Sequence, residues 1–208
     1  ARYGINTENI LGVSMPLLRK LARDIGRNHS MALELWETGI HEALILASLI
    51  ADPGQVGESQ MEKWVNDFDS WDVCDQCCSN LFDKTPLAYA KAVEWITRDR
   101  EFVKRAGFVL MAVLAVHDKN SSEEPFEHFL DLIEREANDE RNFVKKAVNW
   151  ALRQIGKRNM YLNSRAINAA MKIRDIDTKC TRWIAGDALR ELSSPEVQKR
   201  LSKKDATK

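Results

Sequence analysis

The string Phe102-Val103-Lys104-Arg105-Ala106 recurs as Phe143-Val144-Lys145-Lys146-Ala147, 41 residues further along. A second string, Ala151-Leu152-Arg153, recurs as Ala188-Leu189-Arg190 after 37 residues. Both lie in stretches whose apolar residues keep helical spacing. No other feature constrains the fold as much. A repeat of this length holds a helix pair, and one pair cannot bury its apolar face alone, so successive pairs stack.

The rest of the chain agrees with a helical reading. Only nine Gly and five Pro occur in 208 residues, so turn signals are sparse and elements are long. Ser14 and Pro16 open a helix over Pro16–Arg27. Further helices are expected at Ser30–Glu37, Ile40–Ala51 (ended by Asp52-Pro53-Gly54), Ser59–Val65, and from Trp71 to about Phe82. Thr85-Pro86 caps the next, which runs to about Thr97. Then come Phe102–His117, Pro125–Ala137, Arg141–Gly156, Tyr161–Ile173, Lys179–Leu192 and a short helix opened by Pro195. No segment alternates with period two. The expected fold is all-α: HEAT-like helical repeats forming a curved α-α superhelix with a concave face, as one domain over residues 1–201. Ser202–Lys208 is expected to be a polar, frayed tail. An irregular helical bundle with chance internal similarity is the competing architecture.

Composition narrows the function classes. Hydrophobic residues at 44% and charged residues at 30% suit a globular chain. No apolar run approaches the ~18 residues of a membrane span, and the first residues lack a signal-peptide pattern. Three of the four cysteines, Cys74, Cys77 and Cys78, crowd within five residues, a poor disulfide framework. A reducing, cytoplasmic setting is therefore expected. Those cysteines lack a second Cys/His pair at zinc spacing, and small buried residues are the simpler reading. His29, His41, His117 and His128 are scattered and suggest no site. Trp36, Trp64, Trp95 and Trp183 read as core or inter-repeat packing residues. Neither a phosphate-cradling glycine loop nor a nucleophile elbow is present. The formal charge is zero but uneven: residues 1–28 carry +3, residues 29–139 carry −13 and residues 140–208 carry +10. Basic ends around an acidic middle allow a polyanion site, as well as an ordinary charge-mixed surface.

Two local patterns carry chemistry. Ser70 is a good N-cap, so a helix is expected to start at Trp71, placing Trp71 and Asp75 four residues apart on one face. This pair fits a buried indole with a dipole-favoured carboxylate. It also fits an aromatic wall and an anion facing a cationic ligand. Asp72, three residues before Asp75, reads as a first-turn residue favoured by the dipole. In the later repeats, Lys146, Trp150 and Arg153 form a basic and aromatic stripe suited to phosphates and stacked bases. A packed Trp with snorkelling cations would look the same.

At these residues the chain resembles a known family, the AlkD-type DNA alkylation repair glycosylases, which are HEAT-like helical proteins. The resemblance covers nearly the whole chain. It rests on Ala1-Arg2-Tyr3 with Gly12, Pro16 and Arg19; on Ser70-Trp71-Asp72-Val73-Cys74-Asp75; on Phe102–Ala106; and on Phe143–Ala147 with Trp150-Ala151-Leu152-Arg153. It implies excision of positively charged alkylpurines, such as 3-methyladenine and 7-methylguanine, from duplex DNA. It implies Asp75 as the catalytic carboxylate and Trp71 and Trp150 as aromatic walls beside the lesion's deoxyribose. By the same resemblance Arg105 holds a backbone phosphate and Tyr3 completes the pocket. Lys146 and Arg153 join Arg105 and Tyr3 as expected DNA-binding residues.

The chemistry suits such a set. A cationic alkylpurine leaves readily, so the difficulty lies in the oxocarbenium-like sugar. A fixed carboxylate stabilises that charge, and more strongly where water is scarce. It also orients the attacking water as general base. Indole faces attract a cation by ~0.5–2 kcal/mol each. No cofactor and no metal is called for. The expected partner is alkylated double-stranded DNA, without a membrane, and the expected state is a monomer. The alternative is a non-catalytic HEAT-repeat module that binds DNA structure or a protein.

Overall fold

The computed structural model describes residues 4–6 and 8–205, and all regular structure among them is helical. The α-helices are α1 (Met15–Ile25), α2 (His29–Glu37), α3 (His41–Ile50), α4 (Glu58–Asp67), α5 (Trp71–Asn80), α6 (Ala88–Trp95), α7 (Glu101–His117), α8 (Glu124–Glu136), α9 (Asn142–Gly156), α10 (Met160–Asp175), α11 (Lys179–Leu192) and α12 (Pro195–Asp205). Short 3-10 turns occupy Pro53–Gln55 and Phe82–Lys84. The chain divides into two compact units, Ala1–Ala90 and Lys91–Lys208.

Most helix boundaries shift by a residue or two from the sequence expectation, and three differences are informative. α5 stops at Asn80 rather than Phe82, because Leu81 leaves helical backbone (φ −129°, ψ −62°) and the Lys84 ammonium takes the Asn80 carbonyl at 2.5 Å. Thr85 does not cap α6: its hydroxyl donates to the Phe82 carbonyl at 2.8 Å and closes the preceding 3-10 turn instead. α12 continues through Asp205, so residues 202–205 are helical where a frayed tail was expected from Ser202.

In the first unit, α3 is the deepest element. Seven of its ten residues are buried, and it packs against α1, α2 and α5. An aromatic cluster forms a second core beside it. Trp36 stacks on Trp64 with ring centroids 3.8 Å apart, and Phe68 and Phe82 tilt against them. The Trp36 indole N–H donates to Asp67 at 2.9 Å, which satisfies the one polar atom of a ring that is otherwise buried.

The second unit shows the repeat directly. α7 packs on α9 and α9 on α11, while α8 packs on α7, α9 and α10, and α10 also on α9 and α11. Between α9 and α11, three rungs join residues 38 apart. The Lys145 ammonium lies 5.5 Å from the Trp183 ring centroid, Asn149 donates to Asp187 at 2.7 Å, and Arg153 ion-pairs with Glu191. The neighbouring layer keeps the same offset, with Glu127 to Arg165 at 3.2 Å and Glu134 to Lys172 at 3.1 Å. These contacts share one 38-residue offset, while the starts of α7, α9 and α11 at Glu101, Asn142 and Lys179 keep the 41- and 37-residue spacings of the two sequence matches. α7 is the central helix, with twelve of its residues buried. Gly107 lets it approach closely: a Cβ there would stand 2.8 Å from the Ile96 nitrogen and 2.9 Å from the Ala92 carbonyl oxygen.

Candidate functional site

α5 starts at Trp71, as its sequence implies, and Ser70 holds the N-cap position with extended backbone. Its hydroxyl does not cap the helix. It donates to Asp69 at 2.9 Å and accepts the Asn6 backbone N–H at 2.9 Å, while the Asn6 side-chain amide donates to Asp69 at 2.6 Å. The N-terminal segment thus takes the hydroxyl that sequence reasoning assigns to the helix. Tyr3 lies outside the described residues.

The two faces of α5 differ. Val73, Cys74, Cys77 and Cys78 are buried. Trp71 and Asp75 share the flank next to Cys74 and Cys78, three residues from each in turn, and are half-buried. Burial pushes the Cys77 and Cys78 thiols well up, which disfavours the thiolates a metal would require. Asp72 is more than a first-turn anion. Its carboxylate meets His41 Nε2 at 2.9 Å, and this hydrogen bond holds the imidazole above its ordinary pKa against the opposing effect of burial. His41 therefore has a specific structural partner, although its position in the sequence suggests none.

Glu42, beside His41, escaped sequence reasoning. It is 5% exposed and accepts backbone N–H groups from Leu11 (2.8 Å), Gly12 (2.6 Å) and Val13 (3.1 Å). Burial alone would raise its pKa; the backbone donors outweigh that and hold it below the usual carboxylate range. This carboxylate anchors the segment leading into α1, and the Ser70–Asp69–Asn6 contacts anchor its beginning. Such nests of successive N–H groups need a loop conformation, here with Gly12 at φ +78°, that no side-chain pattern announces.

In the second unit, Arg105 lies on α7 and is 5% exposed. Its guanidinium donates to the Phe143 carbonyl at 2.6 Å, at the first turn of α9. The rings of Phe102 and Phe143, the first residues of the repeated string, sit 5.5 Å apart beside it. Lys104 is bound between Glu136 (2.9 Å) and Asp139 (3.1 Å). Burial by itself would raise Asp139, but bonds from Arg141 and Lys104 bring it down to about 2.

Along α9 the expected stripe separates by environment. Lys146 is exposed, with its ammonium 5.9 Å from the Phe143 ring. Trp150 is half-buried. Arg153 turns toward α11 and is held by Glu191 and, at 3.5 Å, by Asp187. Of the two kinds of packing expected for the remaining tryptophans, Trp183 takes the contact between repeats. Trp36, Trp64 and Trp95 are core residues, but Trp183 is 42% exposed beside the Lys145 ammonium. The signal available was its place four residues before Asp187, on the side of α11 that meets α9.

The model of the family described as "DNA alkylation repair enzyme" matches residues 1–206. The chain belongs to this family. Among curated relatives, it is 24% identical over 168 residues to Uncharacterized protein Lin0241 of Listeria innocua serovar 6a, and 23% identical over 168 residues to Uncharacterized protein Lmo0209 of Listeria monocytogenes serovar 1/2a. Each match covers 79% of this chain and 73% of the relative. The fold is similar to a solved structure from "a new family of proteins related to the HEAT-like repeat DNA glycosylases with affinity for branched DNA structures". That likeness has a TM-score of 0.73 at 23% identity and covers 81% of this chain and 73% of that one. The HEAT-like architecture expected from the internal repeat is thus the architecture of this DNA alkylation repair family member. Among the described residues, no helix is long and apolar enough to cross a membrane.

Proposed function

We propose that this chain is a monofunctional DNA glycosylase that hydrolyses the N-glycosidic bond of positively charged alkylpurines in duplex DNA. One observation carries the reading: Trp71 and Asp75 share one face of α5 and both are only half-buried, at the edge of its buried side. An indole face and a carboxylate there suit a developing cation. Asp75 stabilises the oxocarbenium-like sugar and orients the attacking water, while Trp71 and Trp150 attract the positive charge. Lys146 offers its exposed ammonium to a backbone phosphate. In this reading Arg105 acts on DNA through α9, whose first turn it holds, and Tyr3 completes the pocket. Selectivity follows from charge, because a neutral base is a poor leaving group without an acid and gains little from the carboxylate.

The test is release of 3-methyladenine or 7-methylguanine from methylated duplex DNA under enzyme excess. Wild-type protein is expected to release both; Asp75→Asn is expected to lose at least 100-fold in rate while keeping its helical circular-dichroism spectrum and melting temperature. No release by the wild type rejects the reading.

A second reading is a non-catalytic module that recognises DNA structure. It is favoured by the likeness of the fold to a solved structure from a family described as having affinity for branched DNA structures. Salt-dependent binding to branched DNA without base release would select it.

A further inference from the structure

A cavity of about 590 Å³ opens in the second unit where α7 and α9 end and α12 passes. None of its lining residues is among the expected site residues. Five are cationic (Lys119, Lys157, Arg158, Arg200 and Lys204), and one, Glu123, is a carboxylate. Cations near helix C-termini ordinarily answer the last carbonyls. Two of these do. Arg158 is 8% exposed, lies 4.2 Å from the Phe126 ring, and donates to the Ala115 and Ser121 carbonyls at 3.0 and 2.9 Å. Lys204 donates to the Arg158 carbonyl at 2.7 Å. Lys157 is neutralised by Glu191 at 2.5 Å, and Glu123 is held by the Asn159 amide at 2.9 Å.

Lys119 and Arg200 have no such duty. Both are exposed, and among the described residues neither side chain makes a hydrogen bond or ion pair. Stability does not account for them, yet they stand at one opening whose buried wall already holds Arg158. We propose that this cavity is a second nucleic-acid site, which takes the phosphodiester backbone of a DNA strand. The arrangement fits a backbone better than a small anion. Closing on a small anion requires fixed donors converging on one point, and here the fixed forks are turned to carbonyls. What remains is a rim of mobile cations over a positive wall, which serves successive phosphates of variable position. The inference rests on the DNA-binding side of the proposed function and not on catalysis.

The experiment compares the wild-type chain with Lys119→Ala/Arg200→Ala in binding to a fluorescent duplex and a four-way junction across a salt series. Each lost phosphate contact lowers the slope of log K against log salt by about 0.9, so the double variant is expected to lose nearly 2 in slope and about tenfold or more in affinity at low salt. Its melting temperature should not move. The control Lys63→Ala/Lys172→Ala removes equal charge from cations already bound to Glu37 and Glu134. An unchanged slope in the test variant, an equal loss in the control, or a wild type with no salt-dependent DNA binding overturns the proposal. Base release from methylated duplex at saturating protein is read alongside. It should be unaffected by Lys119→Ala/Arg200→Ala, and its absence in the wild type rejects the glycosylase reading without touching the cavity.

Discussion

The Arg105 guanidinium and the Phe143 carbonyl are 2.6 Å apart, so a residue of the first repeated string holds the first residue of the second. The bond is a repeat contact as well as a local one: it crosses from α7 to α9 with the same 38-residue offset as the rungs between α9 and α11. A buried charged donor in this place secures the register of stacked helix pairs.

Arg105→Ala is therefore expected to destabilise the second unit by about 2–3 kcal/mol, the cost of removing a buried charged hydrogen bond. Arg105→Lys should recover part of this, since an ammonium reaches a carbonyl but lacks the planar fork. Urea denaturation measures both. Wild-type stability in Arg105→Ala, with weakened DNA binding alone, would make the residue a plain phosphate ligand.

Asp139 supplies a pH dependence. Its folded pKa of about 2 lies below the ordinary 3.8, so its stabilising contribution is present above pH 3.8 and fades as pH falls toward 2. The difference is worth about 2 kcal/mol at neutral pH. Asp139→Asn should cost that amount at pH 7, and the gap from wild type should close between about pH 4 and pH 2. Melting curves at stepped pH check this; a gap constant down to pH 2 contradicts it.

Tryptophan positions should separate sharply. Trp64 is 1% exposed and stacked on Trp36, so Trp64→Ala is expected to cost about 3–5 kcal/mol. Trp183→Ala should change stability by less than about 1 kcal/mol, because the ring is 42% exposed and loses mainly a contact with Lys145. Equal losses at the two positions would show that Trp183 packs as the core residues do.

Much of this protein was legible from its residues. The repeated strings and the 3.6-residue spacing determined an all-helical chain with stacked pairs, because helix periodicity and the need to cover apolar faces are local and additive. The same local logic put Trp71 and Asp75 on one face of α5 and placed α11 at Lys179–Leu192 to the residue. Contacts between segments distant in the chain were decided only by tertiary structure. The Ser70 hydroxyl goes to Asn6, 64 residues away, and the Glu42 carboxylate to a run of backbone N–H groups 29–31 residues away. His41 finds Asp72, and Arg153 finds Glu191. Each is a polar group whose burial is tolerable only with a partner. Sequence shows which groups need partners; the packing of helices determines which partner comes within 3 Å. Trp183 shows the same division: its residue type indicated core or inter-repeat packing, and only the tertiary structure decided for the contact with Lys145 between α9 and α11.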